Sequence, residues 1–152
     1  MNKITFESLI KKYAKREPAF PKNWPKPNEF DLNFLIQKYN CKFSKSFIDF
    51  QLKYCHLVPM GDFSFEGFGW ANNSLDSYLS LEEILKDYKQ LEFPDFLTPF
   101  RYENGDYWCF DNRNSDPEFP VVIFDHNSFD IEKNPEYNWI NFIDWIDKTM
   151  DR

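Results

Sequence analysis

Glycine is scarce in this chain: only Gly61, Gly67, Gly69 and Gly105 occur in 152 residues. A phosphate-cradling loop needs several glycines close together at the mouth of a helix, so neither a Walker-type nor a dinucleotide-type site is available. Cysteine is also sparse and odd in number. Cys41, Cys55 and Cys109 lack the close pairing of a zinc site, which excludes a disulfide framework and a metal knot and leaves reduced, buried thiols as the expectation. No apolar run approaches the length of a membrane span, and charge interrupts the Met1 to Glu7 stretch that a leader would keep apolar. A cytoplasmic location is expected. Positive charge is the remaining shortage: 18 basic residues stand against 25 acidic ones, for a formal net charge of -7. Gripping phosphates requires clustered Lys and Arg, so direct nucleic-acid binding is not expected, nor is membrane binding. A basic partner is favoured, although a charge of this size also serves solubility.

Aromatic side chains are plentiful. With 18 Phe, 8 Tyr and 5 Trp they make up 20% of the residues, which predicts a core of interlocking rings and leaves some Trp and Tyr as surface anchors for a partner. The length fits one domain with one sizeable core.

Phe6, Leu9, Ile10, Tyr13 and Ala14 fall at helical spacing and predict an amphipathic first helix. Pro18, Pro21, Pro25 and Pro27 then exclude a helix and predict an extended connection anchored by Trp24. Asn28 and Asp31 form a capping pair for a helix that buries Leu32, Leu35, Ile36 and Tyr39. Ser44 can cap another, with Phe47, Phe50 and Tyr54 on one face and Ile48, Leu52 and Cys55 on the next. Phe63 and Phe65 alternate with polar residues as in a strand that ends at Gly67 and Gly69. Ser80 and Glu83 read as a capping box for a helix with Leu81, Ile84, Leu85 and Tyr88 inward. Strands are predicted at Phe96 to Tyr102 and Asp106 to Asp111, joined by the hairpin signal Asn104-Gly105, with a third at Pro120 to Asp125. Trp139, Phe142, Ile143, Ile146 and Met150 predict a closing helix behind Asn138 as its cap. Helices, then antiparallel strands, then a helix is an α+β order.

Gly105-Asp106-Tyr107-Trp108-Cys109-Phe110-Asp111, followed by Pro120-Val121 and a strand ending at Asp125-His126, resembles the SMI1/KNR4 family, also called the SUKH superfamily. From about residue 28 to 150 the elements stand in that family's order. Two positions depart from it: Ser44 stands where the family has proline after an apolar residue, here Phe43, and Tyr54-Cys55-His56 replaces a common Asn-Gly-Gly stretch. The resemblance implies a single α+β domain, mainly an antiparallel sheet packed against several helices. It spans residues 28–152, behind an N-terminal helix and proline-rich connection at 1–27. It further implies a bacterial immunity protein that needs no cofactor or metal and is not an enzyme, a monomer when free. Such a protein neutralises a cognate protein toxin by covering its active site, and a basic nuclease would suit the charge. The expected partner-binding residues are Tyr102, Glu103, Asp106, Trp108 and Asp111, joined by Glu66 and Trp70.

Two other classes stay open. An intracellular adaptor, as in the fungal members the resemblance points to, would use long disordered flanks, whereas this sequence stops two residues after Met150, so the compact inhibitor is preferred. A small metal-dependent hydrolase would use Asp106, Asp111, Asp125 and His126. Acids at hairpin and strand ends more often bond to backbone amides, so a structural role is expected for these four.

Overall fold

Residue 8 and residues 28–54, 81–113 and 117–150 are described in the computed structural model of the chain. The expected first helix, the proline-rich connection, the strand around Phe63, and Cys55, Glu66, Trp70 and Ser80 lie outside the described residues.

Helix α1 spans Glu29–Tyr39. It starts at the capping pair expected there: the Asp31 N–H donates to Asn28 Oδ1 at 2.9 Å, and the Asn28 N–H donates to Asp31 Oδ2 at 3.2 Å. It stops at Asn40, whose left-handed backbone (φ 49°) turns the chain. Leu32 and Leu35 are buried, and Ile36 and Tyr39 pack against the same core.

Helix α2 spans Lys45–Asp49 and passes directly into a π-helical turn, Phe50–Tyr54. Ser44 sits at its start as expected, but its hydroxyl does not cap it. That oxygen accepts instead from the Phe119 N–H at 3.0 Å. The helix is capped from a distant loop: Glu118 accepts from the Ser46 N–H at 2.8 Å and from the Ser46 hydroxyl at 2.7 Å. A carboxylate at this position also meets the positive end of the helix dipole.

Strands β1 (Leu97–Glu103), β2 (Asp106–Asp111), β3 (Val121–Asp125) and β4 (Asp130–Ile131) form an antiparallel sheet in chain order. Among the described residues β1 and β4 are the outer strands. Pro99 lies in β1 next to a register shift that leaves Phe100 as an extra, fully buried residue. A strand position without an N–H donor is tolerated at such a bulge.

Every residue from Val121 to Phe124 is buried, because the sheet is covered on both faces. Val121 and Ile123 share one cluster with Phe110, Phe100 and the helices around Phe47. Val122 and Phe124 share the other with Tyr107, Cys109 and Tyr88. Helix α3, Leu81–Gln90, serves both, giving Leu81 and Leu85 to the first cluster and Ile84 and Tyr88 to the second. It is held in place by Tyr88, whose buried hydroxyl donates to the Pro94 carbonyl at 2.7 Å.

The closing helix α4 spans Phe142–Met150 and begins later than the periodicity suggests. Asn138 instead ends a 3-10 turn, Pro135–Tyr137, and Asn141 accepts from the Asp144 N–H at 2.9 Å. Trp139 lies before the helix in a bridge to Val121, with both backbone hydrogen bonds at 3.0 Å. Its ring still reaches the core, so side-chain spacing alone could not separate a helix turn from this extended bridge. No helix among the described residues is long and apolar enough to cross a membrane.

Rings fill the main core as the composition predicts. Phe47 is completely buried and meets Phe43, Phe100, Phe110 and Phe142 at centroid distances of 5.0, 5.7, 5.5 and 5.2 Å. Cys41 and Cys109 are buried free thiols, and burial pushes the Cys41 thiol up to about 12. Deleting the ring at position 47 opens a cavity bounded by two helices and the sheet. Phe47→Ala should lower unfolding free energy by about 3–5 kcal/mol in urea titration, and Phe47→Leu by clearly less.

Candidate protein-binding surface

The hairpin between β1 and β2 turns through Asn104 and Gly105, both at positive φ (52° and 93°), as a two-residue hairpin loop requires. Gly105 has a second reason to be glycine. A Cβ there would lie 2.8 Å from His126 Nδ1, so the imidazole at the end of β3 rests against the turn.

Asp106 completes the latch. Its Oδ1 accepts from the His126 N–H at 3.2 Å and lies 2.8 Å from His126 Nδ1. Asp125 holds the following turn, accepting from the Asn127 N–H at 2.9 Å and from the Ser128 hydroxyl at 3.3 Å. The ligand atoms of Asp106, Asp125 and His126 all lie within 4.8 Å of one another. Three of the four residues in the hydrolase reading are therefore neighbours, but each is occupied in closing a turn. The fourth, Asp111, stands at the opposite end of β2, about 17 Å away at strand spacing.

Asp111 is enclosed, with a side chain 7% exposed. Arg113 grips it through Nε at 3.0 Å, Nη2 at 2.9 Å and its own backbone N–H at 3.1 Å, while the guanidinium lies over the Phe96 ring at 4.1 Å. Burial pushes the Asp111 carboxyl up, but the Arg113 side-chain and backbone hydrogen bonds and its charge together outweigh that and hold it below the usual value. Asp111 thus offers little surface to a partner.

The other expected contact residues divide between the faces of the sheet. Tyr102 pairs with Tyr107 on the α3 side. Trp108 packs toward the opposite core, beneath the Arg101 guanidinium at 4.7 Å. Glu103 ends β1 and Asp106 begins β2, so Tyr102, Glu103 and Asp106 share the hairpin end. They do not form one patch with Trp108 and Asp111.

Sequence reasoning missed a cleft between α3 and this hairpin. It has a volume of about 290 Å³ and is lined by Ile84, Asp87, Gln90, Leu91, Tyr102 and Tyr107. The spacing of Ile84, Asp87 and Leu91 puts them on one helical face, but only the folded hairpin supplies the facing wall. At the β3–β4 turn a more acidic depression of about 420 Å³ is lined by Asp125, Ser128, Asp130, Ile131, Glu132 and Lys133.

The family profile SUKH_5, described as SMI1-KNR4 cell-wall, matches residues 6–151. The chain belongs to the SMI1/KNR4 family. A solved structure titled as a protein from Pseudomonas syringae pv. tomato superposes on this SMI1/KNR4 chain with a TM-score of 0.67 at 20% identity, covering 93% of this chain and 96% of that one. That likeness shows a shared fold. No curated protein matches the chain. In this SMI1/KNR4 domain the Gly-Asp hairpin and the Asp-His strand end, which carry the family resemblance, meet as two halves of the latch described above.

Two outcomes follow. Gly105→Ala, strained at φ 93° and pressed against His126, should lower stability by about 2 kcal/mol in thermal or urea unfolding. Asp111→Asn should cost about 1–2 kcal/mol near neutral pH, from the weakened charged hydrogen bonds. Because the folded-state pKa of Asp111 is lowered, its contribution is complete above the usual value of 3.8 and is lost as pH falls through the lower folded value. The gap between wild type and Asp111→Asn should therefore close in unfolding curves recorded at decreasing pH below 3.8.

Proposed function

We propose that the protein is an immunity protein that binds a cognate protein toxin and neutralises it by covering its active site. The observation that carries this reading is membership of the SMI1/KNR4 family in a chain whose acidic groups gather at the hairpin end: Asp87 in the cleft, Asp106 at the latch, and Asp125, Asp130 and Glu132 in the depression beyond it. With a net charge of -7, this surface would draw a basic partner, such as a nuclease, by long-range attraction. Nearby aromatic and apolar groups, Tyr102 and Leu91, would then slow dissociation. The carboxylates at the latch and in the following turn support the fold, so the chemistry would reside in the partner.

The test is co-expression with the protein encoded next to it. A stoichiometric complex and suppression of the neighbour's toxicity are expected. Absence of both would reject the reading. Asp87→Arg and Glu103→Arg should each weaken the complex at least about tenfold, Glu103→Arg mostly through slower association, with an unchanged melting temperature. Asp111 is unsuited to charge reversal because the change would break its grip on Arg113.

A further inference from the structure

Polar groups in the cleft between α3 and the β1–β2 hairpin are left without partners. Neither the Asp87 carboxylate, the Gln90 amide nor the Tyr102 hydroxyl has a hydrogen bond or ion pair among the described residues. Beneath them lies an apolar floor of Ile84, Leu91 and the Tyr107 ring. Leu91 is 54% exposed, so this part of the floor is open at the surface. The neighbouring cations are turned to other tasks: Lys89 pairs with Asp95 at 3.3 Å and Lys38 with Glu82 at 3.5 Å. Lys86 is exposed and adjacent to Asp87 in sequence, and residues so placed on a helix do not face each other.

We infer that this cleft is a receptor for one arginine side chain presented by a protein partner. Its volume of about 290 Å³ lies at the bottom of the ~300–1,000 Å³ range of small-molecule pockets, which suits a single side chain better than a metabolite. The chemistry favours arginine among side chains. Its apolar stem fits the Ile84–Leu91 floor, and its planar guanidinium can lie against the Tyr102 ring, which the buried Tyr107 backs at 5.1 Å. Asp87 offers a carboxylate with both oxygens open for a bidentate grip, which a lysine ammonium cannot exploit. Gln90 and Tyr102 supply further acceptors for the remaining guanidinium donors. The inference rests on the partner-binding reading above for the source of the arginine, but the cleft can be tested without that partner.

The probe is N-acetyl-arginine methylamide, compared with its neutral citrulline analogue. Titration into protein labelled at Ile and Leu methyls and Tyr rings should produce saturable shifts at Ile84, Leu91 and Tyr102. The citrulline analogue should bind at least about tenfold more weakly, and Asp87→Asn should remove the difference between the two. Equal binding of both probes overturns the inference, as do shifts that avoid the cleft or persist unchanged in Asp87→Asn. The same variant separates the two proposals: an arginine-selective cleft with no toxin complex would sink the immunity reading alone. A toxin complex undisturbed by Asp87→Asn, with no arginine-selective shifts, would sink the cleft alone.

Discussion

The packing of the Phe47 ring against the sheet is the contact on which the rest of the structure depends. Phe47 sits on a helix of only five residues, too short to persist without tertiary support. Its ring contacts, and the Glu118 cap at the start of that helix, supply the support. In return Phe47 touches Phe100 and Phe110 on the sheet and Phe142 on the closing helix. The stack continues through Phe100 on Phe110 at 4.5 Å and Phe142 beside Trp145 at 5.8 Å. Ring contacts of this kind, edge-to-face from Phe47 to Phe110 and Phe142 and stacked in the other two pairs, add orientation to simple burial, so the aromatic richness of the chain defines how helices and sheet are aligned.

A rigid sheet gives the hairpin a fixed base. With β3 buried on both faces, the strand ends cannot slide without exposing one core or the other. The Asp106–His126 latch then ties the tip of the hairpin to the end of β3, two strands that are already paired along their length. Tyr102 and Tyr107 are thereby set opposite α3, so the walls of the cleft are held by the sheet and the helix. A preformed recess spares a binding partner part of the ordering cost of association.

The sheet was largely readable in advance because its determinants are local. Asn104-Gly105 demands a two-residue turn, and the Val121 to Phe124 run demands a strand. The candidate binding surface was less readable. Tyr102, Glu103, Asp106, Trp108 and Asp111 are close in sequence, but strand alternation puts Tyr102 and Trp108 on opposite faces, and strand length carries Asp111 to the far end. Arg113, two residues beyond Asp111, neutralises an acid that composition would count as free for a partner. Asp87 and Leu91 carry no local signal of a site, because their cleft partner, Tyr102, lies on another element.

Sequence by itself determined the α+β order, the capping pair at Asn28, the hairpin at Asn104-Gly105, the ring-filled core and the acidic character, since each follows from neighbours a few residues apart or from composition. Tertiary structure alone decided that Glu118 caps a helix 72 residues before it, that Trp139 extends to bridge Val121 instead of starting a helix, and that α3 and the hairpin enclose a cleft. Those outcomes depend on backbone groups and side chains far apart in the chain competing for the same partners, and only the packed core brings them within reach of one another.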